Sequence, residues 1–259
     1  MARLVLVATL CAALPVLAGG RDVAAAEVAV AVGFSVPPYV IADERRGMEY
    51  DIVKAALAIE GHVMRPNFLP AARAVRAIEA GEADAALTQH PENGVSAHYS
   101  DVHISFHNAA ITLASRGASI ERMEDLAGKS VVAFPRAATY LGPSFRRIVA
   151  ASPGYREEAR QTAQPILLYL GRAEVVVADP AVFAWLSRHP EVRGKADTSQ
   201  PVRIHHVFPP TEYRVAFRDP QLRDSFNRGL ARLRQSGEYA RIVAGYAAPP
   251  DGDRISVTQ

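Results

Sequence analysis

Apolar and polar positions alternate along this chain in short blocks. Val28 to Val32 (VAVAV) is a compact apolar run and reads as a first strand. Gly33 to Tyr39 follows, and Pro37-Pro38 forbid helix there and hold an extended turn. Ile52, Val53, Ala56 and Leu57 repeat at i, i+1, i+4, i+5, which predicts one buried helical face, with Asp51 at the helix start where a carboxylate favours the dipole. Leu69-Pro70 opens a second helix that Gly81 closes. Glu82 to Leu87 leads into another strand, with Thr88 and Gln89 at its C-terminal end.

The stretch Tyr99–Phe134 divides into a polar turn, Tyr99-Ser100-Asp101, and an apolar strand from Ala109 to Ala114. A short helix over Ser119–Leu126 and a second apolar strand from Val131 to Phe134 complete it. Ser119 is the expected N-cap, with Arg122 where a capping box would place Glu or Gln. Pro135 to Leu141 enters a helix, Arg156–Gln164 reads as polar helix, and Ile166–Leu170 as an apolar helix ended by Gly171 or else a strand. Glu174 to Ala178 is a strand ending at Asp179, followed by a helix over Pro180–Ser187. Tyr213–Phe217 alternates as a strand, and Leu222, Phe226, Leu230 and Leu233 mark one face of a long helix. The alternation of strands and helices predicts an α/β fold.

Composition narrows the function classes. The 259 residues are 49% hydrophobic and 22% charged, with a net charge of +2 and no basic run, which gives no reason to invoke nucleic acid. Arg3, the apolar Leu4 to Leu17 and the A-x-A pattern at Ala24–Ala26 read as an export signal over residues 1–26, cleaved before Glu27 or else near Gly20. Cys11 is the only cysteine and would leave with that segment, so the exported chain would have no disulfide. His103 and His107 lie four residues apart in an extended segment, roughly 13 Å at ~3.3 Å per residue, too far to share an ion, and no metal or cofactor is expected. Walker A, G-x-S-x-G and G-x-G-x-x-G motifs are absent. In open α/β sheets ligands bind outside the C-terminal strand ends, which makes Thr88 and Gln89 cleft candidates.

The Tyr99-Ser100-Asp101 turn, the strand after it and the Asp125-Leu-Ala-Gly-Lys-Ser-Val131 step together resemble the bacterial extracellular solute-binding proteins of family 3. The resemblance runs from about Val28 to Tyr246. It implies a two-lobed periplasmic-binding-protein fold of type II with two crossing strands as hinge. The first lobe would comprise residues 27–114 and a return segment 212–247, the second lobe residues 115–211, and residues 248–259 would form a flexible tail. It further implies a periplasmic monomer that binds a small polar solute, an amino acid or related amine or carboxylate, for an ABC transporter, without catalysis. By the same resemblance Asp179 holds a ligand cation; its other reading is an N-cap of the helix it precedes, and it can do both. Tyr39 either stacks on the ligand or closes the lobe core. The family's carboxylate-clamping Arg is replaced by Asn93, so Arg73 is a substitute anion anchor or else a surface arginine. The family's Gly-Thr pair is missing near Arg136, which leaves Thr139 as the nearest hydroxyl, the N–H groups of that helix start and the Arg136 charge. The alternatives are a dehydratase-like enzyme on the same fold with Glu49 or Glu92 as its acid, and a binding or sensor protein without a transporter.

Overall fold

In the computed structural model, residues 26–33, 35–247 and 257–258 are described. The expected export signal, residues 1–26, lies outside them except for Ala26. The first strand, β1 (Glu27–Val32), is followed by α1 (Met48–Ile59), β2 (Val63–Phe68), α2 (Ala71–Arg76), β3 (Ala85–Gln89), β4 (His98–Tyr99) and β5 (Ile104–Phe106). The chain continues through β6 (Ala109–Leu113), β7 (Val131–Ala133), α3 (Ala137–Tyr140), α4 (Gly142–Ala150), β8 (Arg156–Glu157), α5 (Ala163–Tyr169), β9 (Val175–Ala178) and α6 (Pro180–Ser187). It closes with α7 (Pro190–Arg193), β10 (Val202–His205), β11 (Thr211–Phe217), α8 (Pro220–Gln235), α9 (Glu238–Ala247) and β12 (Val257–Thr258).

The described strands form two six-stranded sheets. The first runs β2-β1-β3-β11-β4, with β5 also paired to β11; β2, β1 and β3 are parallel and β11 is antiparallel to its neighbours. The second runs β12-β10-β6-β9-β7-β8, mixed in direction. The fold is therefore α/β and two-lobed, with the first sheet drawing strands from both ends of the chain. β5 belongs to the first sheet and β6 to the second, so the chain crosses at residues 107–108 and returns through residues 206–210.

The apolar runs became strands because both faces of each sheet are covered. Val175, Val176 and Val177 in β9 are fully buried, as continuous apolar strands in doubly covered sheets require. The buried face of α1, Ile52, Val53, Ala56 and Leu57, packs on α8. The contact is close enough that a Cβ on Gly229 would sit 2.1 Å from the Ala56 carbonyl oxygen. Gly229 is thus the residue that lets the two helix backbones meet.

Three local expectations change. Arg156–Gln164 is not a helix: Arg156 and Glu157 pair with Val132 and Ala133, and α5 begins only at Ala163. A polar segment with no apolar face gains nothing by coiling, whereas an edge strand gives its backbone partners. Ser119 does not cap the next turn. A 3₁₀ turn spans Met123–Leu126, and the capping carboxylate is Asp125, whose Oδ2 accepts from the Glu121 N–H at 2.9 Å and the Arg122 N–H at 3.1 Å. The end of the expected loose tail, Val257–Thr258, pairs in parallel with Val202 and Arg203, while residues 248–256 and 259 lie outside the described set.

Candidate functional site

The site is built where the chain crosses between sheets. Tyr39 ends the Pro37-Pro38 loop and lies stacked on Phe106 at the end of β5, with ring centroids 3.8 Å apart and planes 25° from parallel. Phe106 in turn meets Tyr213 of β11 edge-on at 4.8 Å. These three rings form an aromatic floor across the first crossing. The loop carrying Tyr39 is held by its own backbone: the Tyr39 N–H donates to Val36 O at 2.8 Å and the Tyr39 carbonyl accepts from Glu49 N at 3.0 Å. That second contact requires Gly47, whose φ is +140° and whose missing Cβ would lie 2.3 Å from the Tyr39 carbonyl oxygen.

From the second sheet, Asp179 at the end of β9 reaches this floor. The Tyr39 hydroxyl donates to Asp179 Oδ2 at 2.9 Å, and the His107 backbone N–H, in the first crossing, donates to the same oxygen at 2.8 Å. Asp179 Oδ1 accepts from the Ala181 and Val182 N–H groups at 2.9 and 3.3 Å, capping α6. A carboxylate offers roughly four lone-pair directions, so in this state Asp179 is filled. Burial, and then the Asp179 charge, pushes the Tyr39 phenol far above its ordinary value, so the hydroxyl keeps its proton and donates. Beside this contact Val182 packs into the core of the first sheet, and Arg46 lies over the Trp185 ring at 5.9 Å. The two halves therefore touch through α6.

Beneath the floor is a buried polar group. Glu49, in the first turn of α1, is fully buried and accepts from His103 Nε2 at 3.0 Å. Thr88 Oγ1 donates to both Glu49 oxygens at 2.9 Å. Thr88 adopts φ +55°, a left-handed conformation costly for a β-branched residue. His103 Nδ1 is buried without a partner. Burial and the Glu49 charge together push the Tyr213 hydroxyl up to about 12. Next to the return crossing opens a cavity of about 350 Å³ lined by His90 and Glu92 from one half, Tyr140 and Leu141 from the other, and Pro209 to Glu212 between them.

The structure thus brings Tyr39, Thr88 and Asp179 to the crossing. Gln89 is buried beside Thr88, its Nε2 donating to the Leu87 carbonyl at 2.7 Å. Thr139 lies on α3 next to Tyr140, and Arg136 is the residue just before that helix. Arg136 sits at φ +64° with its guanidinium 5.0 Å over the Tyr140 ring. The N–H groups of Arg136 and Ala138, expected to be free for a ligand, donate instead to Glu157 at 2.6 and 3.0 Å. Arg73 is engaged elsewhere: it holds Glu82 bidentately at 2.8 and 3.1 Å on the exterior. The Asn93 side chain lies outside the described residues. Sequence reasoning did not place Phe106, Tyr213, Tyr140 or Glu212 at the site. The alternation of Tyr213 was legible, but its facing direction depends on the β5–β11 register, Tyr213 opposite Ile104.

Among solved structures, the chain is similar in fold to an ancestral cationic amino acid solute-binding protein. The two are 18% identical, with TM-score 0.68 and 86% of this chain and 96% of that one covered. An amino acid ABC transporter substrate-binding protein from Streptococcus pneumoniae bound to L-arginine matches at 16% identity and TM-score 0.62, covering 85% and 94%. A histidine kinase sensor domain with similarity to periplasmic binding proteins matches at 17% identity and TM-score 0.64, covering 85% and 95%. No curated protein sequence matches the chain. The profile of the bacterial extracellular solute-binding proteins, family 3, matches residues 28–249, nearly the whole described fold, and the chain belongs to that family.

Proposed function

We propose that this chain is exported to the periplasm and there binds a small polar solute, an amino acid or a related amine or carboxylate, between its two lobes. The lobes divide at the crossings, residues 107–108 and 206–210. A solute that touches both lobes favours their closed arrangement by its differential affinity for it, and a monomer so closed is what an ABC transporter would accept. The observation that carries this reading is the Tyr39–Asp179 hydrogen bond from one lobe to the other over an aromatic floor. The Tyr39 hydroxyl occupies the position at which a ligand donor would meet Asp179. Binding exchanges one donor for the other, and α6 keeps its cap throughout. Membership of a family of binding proteins supports binding rather than turnover.

The test is thermal unfolding of residues 27–259 against amino acids, amines and carboxylates. A solute at 100 times its dissociation constant adds about 2.7 kcal/mol, an evident rise in midpoint. The rise should be lost in Asp179→Asn, which retains an N-cap side chain. Absence of any rise across the panel would contradict the reading. A sensor input without a transporter is the second reading, supported by the fold likeness to a kinase sensor domain. Capture of the closed protein by a transporter's membrane subunits separates the two.

A further inference from the structure

We infer that the solute is an organic cation lacking an α-carboxylate, an amine rather than its parent amino acid. The inference rests on the proposal that the inter-lobe cleft is the solute site, and concerns what that site selects. Carboxylates from both halves face the crossing, and Arg46, which lies at the α6 contact, is paired with Glu44. Glu49 lies fully buried below the aromatic floor, close enough to raise both Tyr39 and Tyr213. Asp179 meets the floor from the other lobe. Glu92 and Glu212 line the cavity that opens beside Tyr140.

The neighbouring guanidiniums are committed. Arg136 lies on the Tyr140 ring, and Arg214 donates from Nη1 to the Ser100 carbonyl at 2.8 Å while its Nη2 stands 3.8 Å from Glu212. The N–H groups at the start of α3 are filled by Glu157. A carboxylate entering here would meet like charges and occupied donors. An ammonium would meet opposite charge at Glu92 and Glu212 and the exposed ring of Tyr140, whose quadrupole already draws the Arg136 guanidinium. His103 Nε2 lies 3.0 Å from Glu49 Oε1, and its Nδ1 is buried without a partner.

Matched pairs isolate the carboxylate. Calorimetric titration of the exported chain with agmatine against L-arginine, cadaverine against L-lysine, and phenethylamine against L-phenylalanine compares ligands that differ by that group alone. The expected result is that at least one amine binds about tenfold or more tighter than its parent amino acid. The preference should shrink about tenfold in Glu92→Gln/Glu212→Gln, whose side chains are solvent-facing enough to be replaced without disturbing the fold. If in every pair that binds the amino acid equals or exceeds its amine, the inference is overturned and solute binding stands; loss of that affinity in Arg136→Ala would then place the carboxylate at Arg136. If no member of any pair binds while a carboxylate or neutral solute raises the unfolding midpoint, the inference fails alone. If nothing raises it, both fail.

Discussion

Thr88 holds a conformation that β-branched residues avoid, and its hydroxyl is pinned to a carboxylate with no solvent exposure. Strain of about 1–3 kcal/mol persists only where the surroundings over-determine it. Here Glu49 supplies the constraint, and His103 makes Glu49 tolerable. Replacing His103 with Ala leaves a buried carboxylate with one hydroxyl partner, and should cost about 3–5 kcal/mol of unfolding free energy in a urea titration. A loss below about 1 kcal/mol would mean that Glu49 is protonated or hydrated when His103 is absent. Tyr39→Phe keeps the stack on Phe106 and removes only the donor to Asp179. It should cost about 1.5–3 kcal/mol by the same titration, as loss of a hydrogen bond to a charged group does. At this scale the sequence was partly legible. Thr88 and Asp179 stand at strand ends, where a general rule points. Glu49 and His103 are far apart in sequence, and nothing local distinguishes a buried carboxylate in a first helical turn from a solvated one. Of the two readings of Arg73, the surface arginine is the one the structure shows; its partner Glu82, beyond the helix, was not foreseen.

Among the elements, the apolar periodicity of α1, β9 and α8 placed each element and its buried face, because burial is what those residues gain. β2 was not legible: Pro66 and Asn67 interrupt it, and an edge strand can carry proline where a central one cannot. β8 was misread because polar residues pair at an edge without announcing it. The α1–α8 contact makes a sharp prediction. Gly229→Ala places a methyl group against the Ala56 carbonyl and should destabilise the first lobe by about 1–3 kcal/mol, seen as a lower midpoint, because backbone cannot yield as a side chain can. A neutral result would mean the helices sit further apart. The second lobe carries a pH signature. Ser130, through its N–H and hydroxyl, holds the Glu174 carboxyl below its ordinary value of 4.5. A depressed carboxylate contributes stability that is full above 4.5 and is lost as pH falls through its folded value, because the unfolded chain takes up the proton first. The urea midpoint should therefore fall on acidification below about pH 4.5, with a shallower fall in Glu174→Gln. Equal slopes for the two proteins would remove Glu174 from the account.

For the whole molecule, the two-lobed fold was readable through the family resemblance, because the alternation of strands and helices alone gives no more than an α/β fold; the return to the first sheet rests on a single strand, β11. The expected lobe bounds, residues 114/115 and 211/212, lie within a few residues of the segments 107–108 and 206–210 that join the two sheets. What the fold supplies is a pair of crossings beside which a phenol of the first half, stacked on its own rings, meets a carboxylate of the second. The central claim is that a solute between the lobes stabilises their closure, and the distance between lobes measures this most directly. With Cys11 expected to leave with the export signal, residues 27–259 contain no thiol. Spin labels at Lys54→Cys in one lobe and Glu124→Cys in the other then report one distance. The account predicts a broad distribution without solute, which narrows and shortens when the solute giving the largest rise in unfolding midpoint is added to saturation. A distribution that saturating solute leaves unchanged would contradict it.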